Sequence, residues 1–192
     1  MSNTPPYVTA EATTADSAFN LDIETIRNNA RKHVEEGAQS LSYRANRDSV
    51  IAHLNAALAT ELVCVLRYKR HYFTASGLKA EAVAKEFNIH AQEELKHADW
   101  LAKRIVELGG APDFSPESLV SRSHADYVPC LDLQDMIKEN LIAERIAIDA
   151  YTALIRYIGD KDPTTRRMLE EILAQEEEHA DELFDWINQS TA

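Results

Sequence analysis

The sequence predicts an all-α protein: a bundle of four long helices with a long crossover between the second and the third, plus an extra N-terminal helix. Three observations predict it. Apolar residues recur at helical spacing through four stretches of roughly 25 to 30 residues, about 40 Å of helix each. Glycine (five) and proline (six) are too scarce for the many turns of a strand-rich fold. Two of the connections between the stretches are short and one is long. Short links force antiparallel neighbours, whereas a long one can run the length of a bundle.

Residues 1–20, rich in Thr, Ala, Ser and Pro, read as a flexible tail. Residues 21–46 read as a helix and a linker. Leu21, Ile23, Ile26, Ala30 and Val34 form the apolar stripe, Asn20 or Asp22 supplies the cap, and Gly37 the stop. The bundle then occupies residues 47–189. Its first helix runs from Asp48, the expected N-cap, to Ser76 and stops at Gly77. The second runs from Leu78 to Leu108 and ends at Gly109-Gly110. The third opens at Asp132, with Asp135 three residues on, and stops at Gly159. The fourth opens at Asp162-Pro163, a cap followed by proline in the first helical position, and runs to Asn188. The crossover is APDFSPESLVSRSHADYVPC, which contains Pro112, Pro116 and Pro129 and is long enough to leave the second and third helices parallel.

Composition limits the partners. A net charge of −12 repels phosphates and attracts cations. No Lys or Arg precedes Arg27, so there is no basic arm, and nucleic acid is not an expected partner. No apolar run approaches the roughly 18 to 20 residues of a membrane span. The N-terminus has neither the charged nor the apolar region of a secretory signal. Cys64 and Cys130 lie far apart and form no CxxC. The expectation is a cytoplasmic protein with two reduced thiols and no membrane partner.

The chemistry lies in the apolar stripes. The first helix reads Leu54, Leu58, Glu61, Val65, Tyr68, and the third reads Ile137, Leu141, Glu144, Ile148, Tyr151. A charged Glu in an apolar core costs several kcal/mol unless something neutralises it, and a metal ion does so directly. The second helix reads Val83, Phe87, His90, Glu94, His97, Leu101, Ile105, and the fourth reads Leu169, Ile172, Glu176, His179, Leu183, Trp186. Each holds Glu-x-x-His, which sets a carboxylate and an imidazole one turn apart on one face.

A lone ExxH is weak, because 19 Glu and seven His in 192 residues produce it by chance on the order of once. The weight is in the order E, ExxH, E, ExxH along the four helices. The halves also repeat: Glu94-Leu-Lys-His97-Ala-Asp99 matches Glu176-Glu-Glu-His179-Ala-Asp181, and Glu61–Tyr68 matches Glu144–Tyr151. Two such halves about a pseudo-two-fold axis bring four Glu and two His together, the ligand set of a carboxylate-bridged dinuclear site. The plain alternative is solvated charges and ordinary core histidines. It suits His90 better, although His90 with Glu93 at i, i+3 can form an auxiliary site. Glu177 and Glu178 fall off the stripe. Tyr68 and Tyr151 either pack in the core or hydrogen-bond a ligating carboxylate. Cys64 reads as a packing residue.

The stretches LNAALATELVCVLRYKRHYFTASGL and EELKHADWLAKRIVELGGAPDF resemble bacterioferritin, and the resemblance spans residues 48–188. It implies a ferritin-like fold, with Glu61, Glu94, His97, Glu144, Glu176 and His179 as ferroxidase ligands. It also implies Glu94 and Glu144 as the bridges and Tyr68 as the near-site tyrosine with a catalytic role. Bacterioferritin binds haem through a methionine directly after the first ExxH glutamate. This chain has Leu95 there, so no haem is expected. Only 13 residues follow His179, too few for the fifth helix of that family, and the N-terminal helix is an addition.

The expected function is ferroxidase activity, in which two Fe(II) are oxidised by O₂ or H₂O₂ for iron storage or detoxification. Two metal ions about 3.5–4 Å apart suit such two-electron chemistry. Carboxylates with one imidazole per ion suit Fe, with Mn as an alternative. The rival enzymes are a dimanganese catalase and a rubrerythrin-like peroxidase, although the CxxC of a rubredoxin centre is missing. The rival of another class is a DNA-protecting mini-ferritin. A homodimer or small cage is expected, with Tyr72, Phe73 and Trp100 as pairing candidates.

Overall fold

The computed structural model describes residues 20–36, 40–77 and 80–190. The expected tail at 1–19, stop at Gly37 and helix start at Leu78 lie outside them. The chain divides into two units, residues 1–40 and 41–192.

In the first unit, α1 (Ile23–Lys32) is capped by Asp22, whose carboxylate accepts from the Thr25 N–H at 2.9 Å and the Thr25 hydroxyl at 2.6 Å. The helix ends at Lys32 rather than Gly37 and tightens into a 3₁₀ turn, Val34–Glu36. Glu35 and Glu36 explain the early stop, since carboxylates oppose the negative end of a helix dipole. Leu21, Ile23, Ile26 and Val34 are exposed.

The second unit contains α2 (Arg47–Thr74), α3 (Ala80–Glu107), a one-turn α4 (Leu119–Arg122), α5 (Leu133–Ile158) and α6 (Pro163–Ser190). Among the described residues all regular structure is helical. The N-cap of α2 is Asn46, which accepts from the Ser49 N–H at 3.1 Å. Asp48, the expected cap, sits in the first turn, where its charge suits the positive helix end. Asp132 caps α5 by accepting from the Asp135 N–H at 2.9 Å. Asp162 caps α6 by accepting from the Thr165 N–H at 2.9 Å, with Pro163 in the first helical position. Gly159 closes α5 at φ 56°, a conformation that suits glycine. Gly110 is required for a second reason: a Cβ there would lie 2.8 Å from Ile51 Cγ2, so α3 can end close against α2 only without a side chain.

Side-chain pairs set the helix directions. Across α2 and α5, Tyr68 meets Glu144 and Glu61 meets Tyr151, so the pair is antiparallel. Across α2 and α3, Tyr68 meets His90, and Gly110 lies at Ile51. Across α3 and α6, His90 meets Glu182, His97 meets Gln175, and Arg104 meets Asp162. Both of these pairs are antiparallel too, so α3 and α5 are parallel and the 108–132 crossover returns along the bundle.

That crossover is strapped to α2. Asn55 donates to the Ala111 carbonyl at 3.2 Å and accepts from the Asp113 N–H at 2.7 Å. The His124 N–H donates to Thr60 Oγ1 at 2.9 Å, and Arg67 donates to the Asp126 carbonyl at 3.0 Å. Its turn of helix, α4, was not expected from the sequence.

By length and composition α2 is apolar enough to cross a membrane, with a mean hydropathy of 1.7 over 18 residues, which corrects the expectation that no stretch comes near that limit. Half of the window is buried in the bundle, where α2 packs against α3, α4 and α5. Its apolar character is that of a core helix.

The core has two main apolar clusters. One contains Leu54, Leu58, Ala98, Leu101, Ile105, Ala147, Leu169 and Ile172. The other contains Cys64, Tyr68, Phe87, Ala91, Ile137, Ala143 and Leu183. Along every helix the six residues Glu61, Glu94, His97, Glu144, Glu176 and His179 fall between members of the two. A charged layer is thereby sandwiched between two dry ones.

Candidate metal centre

Each helix contributes where its stripe turns inward. Glu61 comes from α2, Glu94 and His97 from α3, Glu144 from α5, and Glu176 and His179 from α6. All six are at most 2 % exposed. His97 Nδ1 lies 3.1 Å from Glu176 Oε1, 3.2 Å from Glu94 Oε2 and 3.5 Å from Glu61 Oε2. His179 Nδ1 lies 3.6 Å from Glu94 Oε1 and 3.9 Å from Glu176 Oε2.

These donors form two groups, each able to surround an ion: Glu61, Glu94, His97, Glu176 and Glu94, Glu144, Glu176, His179. Glu94 and Glu176 belong to both. Glu144 belongs to the second of these and also to a group with His90 and His179. Among the described residues six buried side-chain polar atoms lack a hydrogen-bond partner. Five of them are here: Glu94 Oε1, Glu144 Oε2, both oxygens of Glu176, and His179 Nδ1. Buried polar atoms rarely go unpaired, and a cluster of them aimed at one space fits bound cations. Hard oxygen donors with one imidazole per group fit a first-row divalent ion.

Four of the six donors are held on their other side from the opposite hairpin. The Tyr68 hydroxyl on α2 donates to Glu144 Oε1, and the Tyr151 hydroxyl on α5 donates to Glu61 Oε1. His97 Nε2 faces Gln175 Oε1 at 2.7 Å, and His179 Nε2 faces Glu93 Oε2 at 3.0 Å. Both imidazoles therefore turn Nδ1 into the centre, and their outer partners fix ring and tautomer. Glu93 and Gln175 were missed as partners at the sequence level. The signal was one residue away, because the repeat extends upstream as Glu93-Glu94 and Gln175-Glu176.

The electrostatics are those of too many carboxylates in one dry space. Burial, and then the charge of Glu94, push Glu61 up to about 8. Burial and Glu94 also raise Glu144, and they raise Glu176 well above the carboxylate range. Burial works against the charge on Glu94 too, but the His179 and His97 imidazoles and the Glu61 carboxyl beside it outweigh burial and hold that carboxyl well below its usual value. Burial disfavours the charged form of both imidazoles. Its effect is overcome at His97 by Glu176, Glu61 and Glu94, and at His179 chiefly by Glu94, which leaves His179 at about 9.

A buried cation stands beside the centre. Arg67, 1 % exposed, donates to Asn140 Oδ1 at 2.9 Å, to the Asp126 carbonyl and to Cys64 Sγ at 3.6 Å. His71 accepts from Asn140 Nδ2 at 3.1 Å. Neither residue was singled out from the sequence. Thr60, Cys64, Arg67 and His71 form a second buried stripe on α2, and that spacing was the available sign. Both cysteines are buried and free. His90 is buried, as a core histidine would be, and its ring nitrogen faces carboxylates other than the alternative partner Glu93: Nε2 lies 2.8 Å from Glu182 Oε2 and 3.6 Å from Glu86 Oε1.

A four-helix bundle with a long crossover and a central layer of four Glu and two His has the architecture of the ferritin-like class. Residues 51–191 match the family model of the ferritin-like domain, and the chain belongs to that family. It is 30% identical to a bacterioferritin of Desulfovibrio desulfuricans over 68% of this chain and 69% of that protein. It is 33% identical to a DNA protection during starvation protein of Pyrococcus furiosus over 57% of this chain and 63% of that protein. Among solved structures it is similar to the bacterioferritin-related protein of Bacteroides fragilis, described as a dodecameric thioferritin, with a TM-score of 0.75 and 32% identity over 77% of this chain and 89% of that one.

Proposed function

We propose that the bundle, residues 47–189, is a ferroxidase that takes two Fe(II) as substrate for iron storage or detoxification. One Fe(II) is held by Glu61, Glu94, His97 and Glu176, the other by Glu94, Glu144, Glu176 and His179, with Glu94 and Glu176 as bridges. The observation that carries this is the pair of donor groups sharing two carboxylates whose free oxygens have no other partner. Four carboxylates match the charge of two divalent ions, so loading relieves the crowding that burial imposes. Each Fe(II) supplies one electron, and two together serve a two-electron oxidant, O₂ or H₂O₂.

The protein's share is positional. Tyr68 and Tyr151 hold Glu144 and Glu61, Glu93 and Gln175 hold the imidazoles, and the apolar clusters on either side exclude water. Leu95 is 47% exposed on α3 and has no donor for haem iron, so we assign no haem. A small cage in the cytoplasm, where buried thiols stay reduced, is the setting that fits. Relatives named for DNA protection favour a second reading, but the charge of −12 opposes a direct grip on phosphates.

The test is anaerobic loading with Fe(II) followed by O₂ or H₂O₂. Two Fe(II) per chain should oxidise faster than free Fe(II) in the same buffer, and Glu176→Ala should abolish the fast phase. Oxidation no faster than in buffer, or a fast phase that survives Glu176→Ala, rules the proposal out. Rapid H₂O₂ disproportionation by the Mn(II)-loaded protein alone would move the assignment to a dimanganese catalase.

A further inference from the structure

We propose a third cation site, separate from the dinuclear groups, in which Glu86, His90 and Glu182 hold a divalent first-row transition-metal ion. These three residues each bring one donor atom, all within 4.8 Å of one another, from α3 and α6. Two ligands on one ion with bonds of about 2.1 Å lie about 3.0 Å apart at right angles and about 3.4 Å apart at tetrahedral corners. The 2.8 Å and 3.6 Å separations of His90 Nε2 from Glu182 and Glu86 bracket those values.

The protons of the neighbouring groups supply an independent reason. The Tyr68 hydroxyl has one proton, and it is given to Glu144. His90 Nδ1, 3.1 Å from the Tyr68 oxygen, must therefore be the donor of that contact. A neutral His90 ring then presents a lone pair at Nε2 to a carboxylate oxygen 2.8 Å away. Two acceptors at that distance are held together by a proton or a metal cation lying between them, and an ion there would serve the Glu86 oxygen as well. His90 is fully buried and held in place: its ring stacks on His179 with centroids 4.1 Å apart and meets Tyr68 edge-on. Nε2 cannot swing elsewhere to find a donor. Burial, and then the charge of Glu86, raise the Glu182 carboxyl, so the two carboxylates crowd one another at the position where an ion would sit.

The outer half of this site is open. The Glu182 and Glu86 side chains are 42% and 25% exposed, whereas His90 is sealed. An ion here keeps water on its solvent side, so it should bind more weakly and exchange faster than ions in the buried layer. An imidazole with carboxylates selects Zn(II), Fe(II) or Mn(II) over Mg(II). The position is a vestibule: the His90 ring touches both His179 and Tyr68, which themselves contact the central layer.

Zn(II) is a suitable probe because it is redox-silent. Metal-free protein equilibrated with Zn(II) should bind three ions per chain, and anomalous diffraction at the zinc edge should place one within bonding distance of His90 Nε2. Glu182→Gln and Glu86→Gln change half-exposed side chains and leave the core intact. Each should weaken that ion at least about tenfold and leave the other two in place. Two ions in the native chain, a third ion elsewhere, or a third ion equally tight in both variants would overturn the proposal. If the peak at His90 stands while none appears at Glu94 and Glu176, the vestibule survives and the dinuclear reading fails.

Discussion

Glu61→Gln should make the metal-free protein more stable while removing its metal binding. Burial and the charge of Glu94 raise the Glu61 carboxyl from an ordinary value of 4.5 to about 8. A folded-state value above the unfolded one means that folding takes up a proton. The stability from this group is then whole below about 4.5, and its loss is complete above about 8. At pH 7 the span is about 2.5 units, or about 3 kcal/mol at about 1.36 kcal/mol per unit. Because neighbouring carboxylates share the protons of this layer, about 2 kcal/mol belongs to Glu61 itself. Glutamine copies the protonated acid. Its oxygen still accepts from Tyr151, and its amide replaces the acid O–H that faces Glu94.

The assay is thermal unfolding in EDTA at fixed protein concentration. A gain of about 2 kcal/mol moves the midpoint of a chain of this size by about 4–8 °C. At pH 5 the gain should shrink to about 0.5 kcal/mol, since the span there is only about half a unit. With Zn(II) at about a hundred times its Kd the native chain should gain about 2.7 kcal/mol, and the variant little. A variant less stable than the native chain in EDTA at pH 7, or a gain as large at pH 5, would refute the reasoning.

Asp162→Ala should lower the urea midpoint by the equivalent of about 2–3 kcal/mol, because Asp162, 2% exposed, caps α6 and also accepts from Arg104 at 3.0 Å and Tyr43 at 3.1 Å. An unchanged midpoint would show that the cap is idle. His71 should make the fold acid-sensitive: burial, and then the charge of Arg67, lower it to about 4. A folded value below the unfolded 6.5 gives stability that is full above 6.5 and is lost as pH falls to about 4, worth about 2 kcal/mol after solvent screening. His71→Gln should flatten the urea midpoint between those pH values, and an unchanged slope would contradict it.

The four helices were legible because each stripe keeps its period past several turns, and a Glu inside such a stripe stands out against Leu and Ile. The six residues so marked do meet in space. Details that depend on a second helix were not legible. His90 looked towards Glu93 by local spacing, yet its nearest carboxylate is Glu182 on α6. Asp48 read as the cap of α2, but the Ser49 N–H takes the Asn46 side chain instead. Arg67 escaped notice because a buried guanidinium is credible only once Asn140 and the Asp126 carbonyl are in place around it.

The crossed partnerships of the central layer bear on how the protein comes together. The α2–α3 hairpin carries Glu61 and His97, but Tyr151 and Gln175 of the other hairpin steady them. The α5–α6 hairpin carries Glu144 and His179, but Tyr68 and Glu93 steady those. Neither hairpin can rehearse its half of the centre alone. Ion capture therefore reports that the halves have docked in register, and damage on one side should loosen the ion nearest the other. The crossover, strapped along α2 from Asn55 to Arg67, keeps the second half tethered beside the first until that interlock closes.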